Sequence, residues 1–255
     1  MPQFPWLDPA PFFLPGGPVG CLLIHGFTGS PPEMRPMGEY LAQRGIAASA
    51  PLLAGHGTTP QDLARTTWHD WYSSVETAFL DLRKRSEVVF VGGFSLGALL
   101  AMHLAANQDV SGLILMSPAL VLRDSRVKFV PVVRLLLRFV TKDPDPSHTD
   151  LTDPEAYKKF WSYDAYPTAA MYQLYLLQKV VRPELPRIHA PALIAYSTGD
   201  MAVSPRSGEV IRDGISSQHK EMLVLHNSGH GIVVDSECLV LFEKAYAWIA
   251  AHRGS

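Results

Sequence analysis

The residue pattern best suited to chemistry is a serine between two glycines, Gly93-Phe94-Ser95-Leu96-Gly97. It follows the apolar run Val88–Val91 and precedes the apolar stretch Ala98–Ala106, which predicts a strand, a sharp turn and a helix. A serine hydroxyl is a weak nucleophile, so it must stand where a histidine can activate it. Glycines suit a turn with no room for a Cβ, and the helix N-terminus directs backbone N–H groups at the reacting oxygen. The pattern favours Ser95 as a nucleophile over an ordinary loop serine.

A serine nucleophile on such a turn is followed along the chain first by an acid and then by a histidine. The apolar segment Pro191–Ser197 predicts a buried strand, and the turn that leaves it ends at Asp200. The strand Glu221–Leu225 comes next and leads to His230, which lies between two glycines. Parallel sheets place their sites at the carboxyl ends of strands. We therefore expect Asp200 to orient the His230 ring and stabilise its charged form.

Other interpretations of these residues exist. Asp200 could begin the helix at Ser204–Gly214 or make a local turn, and His230 could be a surface residue. Asp124 is the second candidate acid, because some hydrolases take theirs after the preceding strand, here Ser111–Met116. None of the other nine histidines combines a position after a strand with the right place in the order: His25, His56, His69, His103, His148, His189, His219, His226 and His252.

Attack on an ester carbonyl creates an oxyanion, which needs two fixed hydrogen-bond donors. One expected donor is the backbone N–H of Leu96, directly after the nucleophile. The other is expected from the loop His25-Gly26-Phe27-Thr28-Gly29, which follows the strand Cys21–Ile24. Gly26 would let the chain turn so that the Phe27 N–H faces the site. His25 is expected to brace this loop through hydrogen bonds rather than to transfer protons.

Five stretches together resemble the small bacterial carboxylesterases and monoacylglycerol lipases of the α/β-hydrolase superfamily. They are His25–Pro32, Pro51–Pro60, Trp68–Tyr72, Val91–Ala98 and Ser228–Asp235. The resemblance extends over most of the chain outside roughly residues 120–187. One departure is Leu96-Gly97-Ala98, where the family usually has Met-Gly-Gly after the serine. Leu for Met barely changes the volume, and Ala98 adds a single methyl group.

The resemblance implies an α/β-hydrolase fold and a serine esterase with the triad Ser95, Asp200 and His230 and with oxyanion donors at Phe27 and Leu96. It implies hydrolysis of carboxylic esters, including monoacylglycerols, through an acyl-enzyme, a mechanism that needs no metal or other cofactor. Short-to-medium acyl chains are expected, because a chain of 255 residues with one small cap leaves limited room for the substrate. A thioesterase or lactonase is an alternative, since the triad fixes the reaction and not the acyl group. A ligand-binding receptor with slow or no turnover on the same fold is another.

Alternating strand and helix patterns along the chain predict a mostly parallel central sheet flanked by helices. Residues 1–120 and 187–255 are expected to form this core. Residues 121–186 interrupt the alternation and are expected to form a small helical cap, beginning with an apolar, basic helix at Arg126–Val140 and followed by aromatics at Tyr157–Tyr175. A helical excursion that only completes the core is the alternative, and contact of the basic helix with a membrane surface is another.

Composition limits the partners. The 255 residues are 47% hydrophobic and carry a net charge of −2, which supports a packed core and gives no reason to expect nucleic acid. Met1–Leu14 has no basic start and is broken by prolines, so we expect no signal peptide. No apolar run approaches the length of a membrane span, and a cytoplasmic location without stable membrane insertion is expected. Cys21 and Cys238 are expected to be buried thiols. The sequence does not indicate the oligomeric state.

Overall fold

A seven-stranded sheet forms the centre of the computed structural model, which describes residues 7–143 and 149–254. Its strands are β1 Phe12–Leu14, β2 Val19–Ile24, β3 Ile46–Ala50, β4 Val88–Phe94, β5 Gly112–Met116, β8 Ala192–Ser197 and β9 Lys220–Leu225. Their order across the sheet is β1-β3-β2-β4-β5-β8-β9, and every neighbouring pair is parallel except β1 with β3. A separate antiparallel pair consists of β6 Phe139–Thr141 and β7 Ala165–Pro167. The prediction of a mostly parallel sheet is confirmed.

Helices cover both faces of the sheet. They are α1 Arg35–Ala42, α2 Pro60–Leu63, α3 Trp68–Arg83, α4 Leu96–Asn107, α5 Val130–Leu136, α6 Thr168–Glu184, α7 Arg206–Gly214 and α8 Cys238–His252. One apolar core joins the sheet to α3, α4 and α6, and a second core on the other face joins it to α1 and α8. Because both faces are covered, the central strands are apolar throughout rather than alternating.

The helix α4 lies deepest in the structure and carries the serine turn at its start. Nine of its residues are buried: Leu96, Gly97, Ala98, Leu99, Leu100, Ala101, Met102, Leu104 and Ala106. A helix that is apolar on all sides belongs in a protein core. It packs against β4, β5, α3 and α6, so the position of the turn is fixed by packing from several sides.

The expected helix at Arg126–Val140 is wrong in its extent. A short 3-10 segment, Ser125–Phe129, comes first, then α5, and the chain becomes extended from Leu137 into β6. Pro131 lies in the first turn of α5, where its missing N–H costs nothing, so it marks a helix start rather than a helix interior. Six apolar side chains between Arg126 and Val140 are exposed: Phe129, Val132, Leu135, Leu136, Leu137 and Val140.

The segment 121–186 combines two roles. Its α5 and the β6–β7 pair lie outside the sheet core, whereas Leu174, Leu177 and Val181 of α6 belong to the core cluster around α4. The division of the chain into a core and a cap at 121–186 stays a prediction. Residues 144–148 of the expected cap, with His148, and residues 1–6 of the segment expected to lack a signal peptide lie outside the described residues.

Two smaller expectations can be compared with the structure. Cys21 is buried in β2, but Cys238 at the start of α8 is only half-buried, so the expectation of two buried thiols is wrong for Cys238. Over residues 7–143 and 149–254, the helices are all too short or too polar to cross a membrane.

Candidate active site

Ser95 occupies a strained turn between β4 and α4. Its backbone angles are φ 54° and ψ −109°, a region that non-glycine residues rarely adopt. A Cβ on Gly93 would collide with the carbonyl group of Gly97, and a Cβ on Gly97 would collide with the carbonyl oxygens of Ile24 and His25. Both glycines are therefore required by the close approach of neighbouring backbone, as the sequence pattern indicated.

The His230 ring connects the serine to a carboxylate. Its Nε2 lies 3.0 Å from Ser95 Oγ, and its Nδ1 lies 2.8 Å from Asp200 Oδ2. Asp200 is 1% exposed and Ser95 is 8% exposed, so both hydrogen bonds are largely shielded from water. The structure thus brings together the three residues that the sequence order selected from distant parts of the chain.

Backbone donors fix the Asp200 carboxylate. Its second oxygen, Oδ1, accepts hydrogen bonds from the N–H groups of Ala202 at 2.8 Å and Val203 at 2.7 Å. The Arg123 guanidinium donates to the backbone carbonyl oxygens of Thr198 and Asp200. Because Oδ1 is bound by the backbone, only Oδ2 is free to orient the ring. The direction of Oδ2 is therefore set by contacts that do not involve His230.

Asp150 is a further residue of the site, and the sequence analysis assigned it no role. Its Oδ2 accepts from the N–H of His230 at 2.9 Å and from the N–H of Met201 at 2.8 Å. One carboxylate oxygen therefore ties the loop that carries the histidine to the loop that carries Asp200. The acidic composition around Asp150 was its only signal in the sequence, and nothing in the spacing indicated a contact with either loop.

The carboxylate of Asp235 binds backbone N–H groups next to His230 and next to Asp150. It accepts from the N–H groups of Gly229, Thr152 and Asp153 at 2.7 to 3.1 Å. These donors lower the pKa of Asp235 although burial acts in the opposite direction. A buried carboxylate that accepts several backbone hydrogen bonds stays ionised and holds its loop in one conformation.

The pKa of His230 is raised above its ordinary value of 6.5. Burial alone would lower it, but the hydrogen bond and negative charge of Asp200 outweigh burial, and the charges of Asp150 and Glu33 act in the same direction. A more basic imidazole is a better acceptor for the serine proton. It must nevertheless be neutral before it can accept that proton.

Asp124, the second candidate acid, lies in the wall of the cavity beside Ser95, but its carboxylate is bound by Arg126 and not by His230. Its carboxylate accepts from the Arg126 backbone N–H at 2.9 Å and pairs with the Arg126 guanidinium at 2.9 Å. Its side chain is 49% exposed, and the hydrogen bonds from Arg126 lower its pKa. Asp124 thus begins the 3-10 segment of the insertion, and the acid that reaches His230 is Asp200.

The loop after β2 is held tightly beside the serine. Gly29 N–H donates to the Gly26 carbonyl oxygen at 3.2 Å, and Gly26 N–H donates to the buried Glu33 carboxyl group. His25 accepts at Nε2 from the Leu53 N–H at 3.1 Å, and burial lowers its pKa to about 4. His25 is therefore neutral and structural, in agreement with the bracing role expected from the sequence.

The two expected oxyanion donors belong to adjoining elements. Leu96 is the first residue of α4 and is fully buried. Phe27 lines the same cavity as Ser95 and His230, and its ring stacks on Tyr166 with 6.1 Å between centroids. The residues expected to supply the two N–H groups therefore come from the start of the serine helix and from the loop after β2.

A cavity of about 440 Å³ lies above the triad. One part of its lining is apolar and comes mostly from the insertion, with Leu122, Val127, Met171, Leu174 and Val203. Another part is polar and contains Thr28, Glu33, Lys142 and Ser162. An apolar chain and a polar group of one ligand can therefore be held at once.

Glu33 in the polar part of the lining is an unusually weak acid. Burial raises the pKa of Glu33 to about 8, against the opposing effects of the Gly26 N–H and of the charges on His230 and Lys142.

The arrangement suits acyl transfer. A serine hydroxyl that donates to a histidine, with a buried carboxylate behind the ring, has the geometry of an activated nucleophile. The cavity gives a carbonyl compound access to Ser95.

Comparison with known proteins agrees with this chemistry. Residues 20–237 match the family model for serine aminopeptidase S33. The chain is 37% identical to a thermostable monoacylglycerol lipase of Bacillus sp. (strain H-257) over 99% of both chains. It is 25% identical to a carboxylesterase of Bacillus subtilis (strain 168), over 95% of this chain and 97% of the relative. A solved structure from work on LipS and LipT, two metagenome-derived lipolytic enzymes, has a TM-score of 0.90 and 31% identity, covering 98% of this chain and 99% of that one.

Asp200 and Asp124 can be separated by matched variants. Asp200→Asn should lower the rate at which a fluorophosphonate labels Ser95 by a factor on the order of 10⁴, because the amide favours the wrong histidine tautomer. Asp124→Asn removes an exposed carboxylate of the same kind and should change the rate by no more than a few-fold. The measurement is the second-order rate constant of labelling. Equal losses of labelling rate in the two variants would show that Asp200 does not orient the His230 ring.

The labelling rate should also depend on pH in a defined direction. Because the pKa of His230 is raised, the rate should fall on acidification with a midpoint above the ordinary value of 6.5. Asp200→Asn removes the charge that raises this pKa, so the His230 titration followed by NMR should move to lower pH. A wild-type midpoint at or below 6.5, or a titration that Asp200→Asn leaves in place, would show that the carboxylate does not control the ring.

Proposed function

The chain belongs to the serine aminopeptidase S33 family of the α/β-hydrolase superfamily and is a carboxylic ester hydrolase, and we propose that Ser95, His230 and Asp200 are its catalytic triad. The observation that carries this proposal is the His230 ring, which lies within hydrogen-bond distance of Ser95 Oγ and of Asp200 Oδ2 at once. A strained turn presents the serine to the cavity.

In the proposed reaction, Ser95 Oγ forms a bond to the ester carbonyl carbon while His230 Nε2 takes the hydroxyl proton. The carbonyl oxygen becomes an oxyanion, which the backbone N–H groups of Phe27 and Leu96 stabilise. His230 then gives its proton to the leaving alcohol as the carbon–oxygen bond of the ester breaks. Water attacks the acyl-enzyme through the same steps and releases the acid. Asp200 accepts a hydrogen bond from the ring throughout and holds its orientation.

The proposed substrates are carboxylic esters with short-to-medium acyl chains, monoacylglycerols among them. The similarity to a monoacylglycerol lipase and a carboxylesterase supports this class. So does the cavity of about 440 Å³, which is at the small end of the roughly 300–1,000 Å³ typical of ligand pockets. Thioesters and lactones would pass through the same steps, and a receptor without turnover would have no need of a strained serine turn. The cytoplasmic location stays a prediction from the sequence.

Ser95 is the residue on which the mechanism depends. A fluorophosphonate should label the wild-type protein once, and Ser95→Ala should neither be labelled nor hydrolyse p-nitrophenyl butyrate. Ser117→Ala is a suitable control, because Ser117 is also a buried serine at positive φ and its hydroxyl donates to the His230 carbonyl oxygen. The fluorophosphonate should still label Ser95 in the Ser117→Ala variant. Labelling that survives Ser95→Ala would refute the mechanism, whatever the substrate.

Acyl chain length provides a second test. Each methylene that the apolar part of the cavity buries is worth about 0.8 kcal/mol, which is about fourfold in kcat/KM per carbon. The gain should stop when the cavity is full, and we expect an optimum at about four to ten carbons. The measurement is kcat/KM for p-nitrophenyl esters of increasing chain length.

The position of the acyl chain can be tested by filling the cavity. Met171 of α6 lines the apolar part, so Met171→Trp should shift the optimum to shorter chains and leave acetate hydrolysis within a few-fold. Leu135→Trp on α5 is the matched control, because Leu135 is 73% exposed. An unchanged profile in Met171→Trp would place the acyl chain elsewhere.

A further inference from the structure

Thr28 is held in an unfavourable conformation next to the proposed oxyanion donor. Its φ is 63°, which a β-branched side chain rarely adopts, and it is fully buried. A residue stays in such a conformation only where the surrounding structure supplies compensating contacts. Thr28 follows Phe27 directly. The Phe27 N–H belongs to the preceding peptide unit, between Gly26 and Phe27, so the contacts that hold Thr28 act on this N–H through the backbone of Phe27.

The contacts that hold Thr28 come from the insertion and not from its own loop. The Tyr163 N–H donates to the Thr28 carbonyl oxygen at 3.2 Å. The Lys142 ammonium donates to Thr28 Oγ1 at 2.8 Å and also to Ser162 Oγ. The two hydroxyl oxygens of Thr28 and Ser162 are 3.1 Å apart. The carbonyl group and the side chain of Thr28 are therefore both bound by residues far along the chain.

A second contact from the same region reaches Phe27. The Lys142 ammonium lies 4.4 Å from the centroid of the Tyr166 ring, and that ring is parallel to the Phe27 ring within 4°. Lys142 thus touches Thr28 through a hydrogen bond and Tyr166 through a cation–π contact. Both residues of the loop, Phe27 and Thr28, are held by one cluster in the β6–β7 region.

This cluster is itself anchored to the protein core. The Lys142 N–H donates to the Asp164 carbonyl oxygen next to the β6–β7 pair. The Tyr163 hydroxyl donates to the Gly55 carbonyl oxygen at 2.8 Å and accepts from the Thr58 N–H at 3.0 Å. Burial lowers the pKa of Lys142 to about 7, against the charges of Glu33 and Asp164. A lysine is desolvated here at a cost, which its contacts must offset.

We propose that Lys142 is a positioning residue for catalysis, which acts through Thr28 to aim the Phe27 N–H at the oxyanion. The inference rests on the proposed function, because it needs Phe27 to be an oxyanion donor. Donors are effective only when they are fixed before charge develops on the substrate. The insertion therefore completes the catalytic site in addition to lining the acyl cavity.

A positioning role predicts a particular kinetic pattern. Lys142→Met keeps the length of the side chain and removes its hydrogen bonds and charge. We expect kcat to fall by about 10- to 100-fold, less than the roughly 10²–10³ for loss of an oxyanion donor itself, with KM within about twofold. The loss should be equal for acetate and octanoate esters, because the oxyanion is the same in both. Lys158→Met is the control, since Lys158 is an exposed lysine of the same insertion paired with Glu155.

A double-mutant cycle tests whether Lys142 acts through Thr28. Thr28→Val removes the acceptor and should reproduce the Lys142→Met loss, whereas Thr28→Ser keeps the acceptor and should lose much less. The kcat of the double variant Thr28→Val/Lys142→Met should be within about twofold of the kcat of the less active single variant. Additive losses would show that the two side chains act separately and would overturn the proposal.

A transition-state analogue separates positioning from substrate binding. Ser95 Oγ adds to the carbonyl carbon of a trifluoromethyl ketone, its proton passes to His230, and the ketone oxygen becomes an oxyanion. Affinity for an alkyl trifluoromethyl ketone should fall in Lys142→Met by the same factor as kcat/KM. A raised KM with unchanged kcat, or unchanged affinity for the ketone, would assign Lys142 to substrate binding or to no role.

The outcome is independent of the test of the triad. Labelling that survives Ser95→Ala removes the proposed function, whereas normal Ser95 labelling with unaffected Lys142→Met kinetics removes only this inference. Circular dichroism and thermal unfolding establish that each variant folds. If Lys142→Met does not fold, the difference in kcat between Thr28→Val and Thr28→Ser decides the question, and equal kcat values in those two variants would refute it.

Discussion

The proposed active site depends on one geometric requirement: the His230 ring must reach Ser95 with one nitrogen and Asp200 with the other. The three residues follow β4, β8 and β9, whose carboxyl ends lie at one edge of a parallel sheet. Strand register brings the three loops near one another, but a register error of one residue would move any of them by more than the length of a hydrogen bond. The buried apolar strands and α4 fix that register.

Sheet register alone does not set loop conformation, and buried carboxylates provide the remaining precision. Asp200, Asp150 and Asp235 each accept at least one backbone N–H in the loops around the serine. A buried carboxylate without such donors would be costly, and each N–H without an acceptor would be too. Pairing a carboxylate with an N–H group removes both costs, so loops that lack regular structure are held in one conformation by these hydrogen bonds. Asp150 holds the Asp200 and His230 loops with one oxygen, which makes their separation a fixed quantity.

The strands and the order of the proposed triad could be predicted from the sequence because both depend on local patterns. Buried strands are continuous apolar runs, and Ser95, Asp200 and His230 each stand next to one with glycines in support. Asp150, Lys142 and Thr28 could not be found in this way, since their roles depend on contacts between segments far apart in the chain. The continuous helix at Arg126–Val140 failed for a related reason. A helix is present within the segment, but it begins next to Pro131. The end of the segment is extended because β6 pairs with β7.

The same long-range contacts make specificity inseparable from stability in the insertion. The second half of α6 places Leu177 and Val181 in the core around α4, and its first half places Met171 and Leu174 in the wall of the cavity. Leu174 belongs to both, because it lies in the core cluster and in the cavity lining. A change that enlarges the cavity at Leu174 also removes packing from the helix that carries Ser95. Substitutions at Met171 and Val127, which are half-buried and absent from the core cluster, can alter the acyl cavity with a smaller effect on the sheet core. Sequence change that alters acyl preference while preserving the fold is therefore expected to concentrate at such positions rather than along the whole insertion.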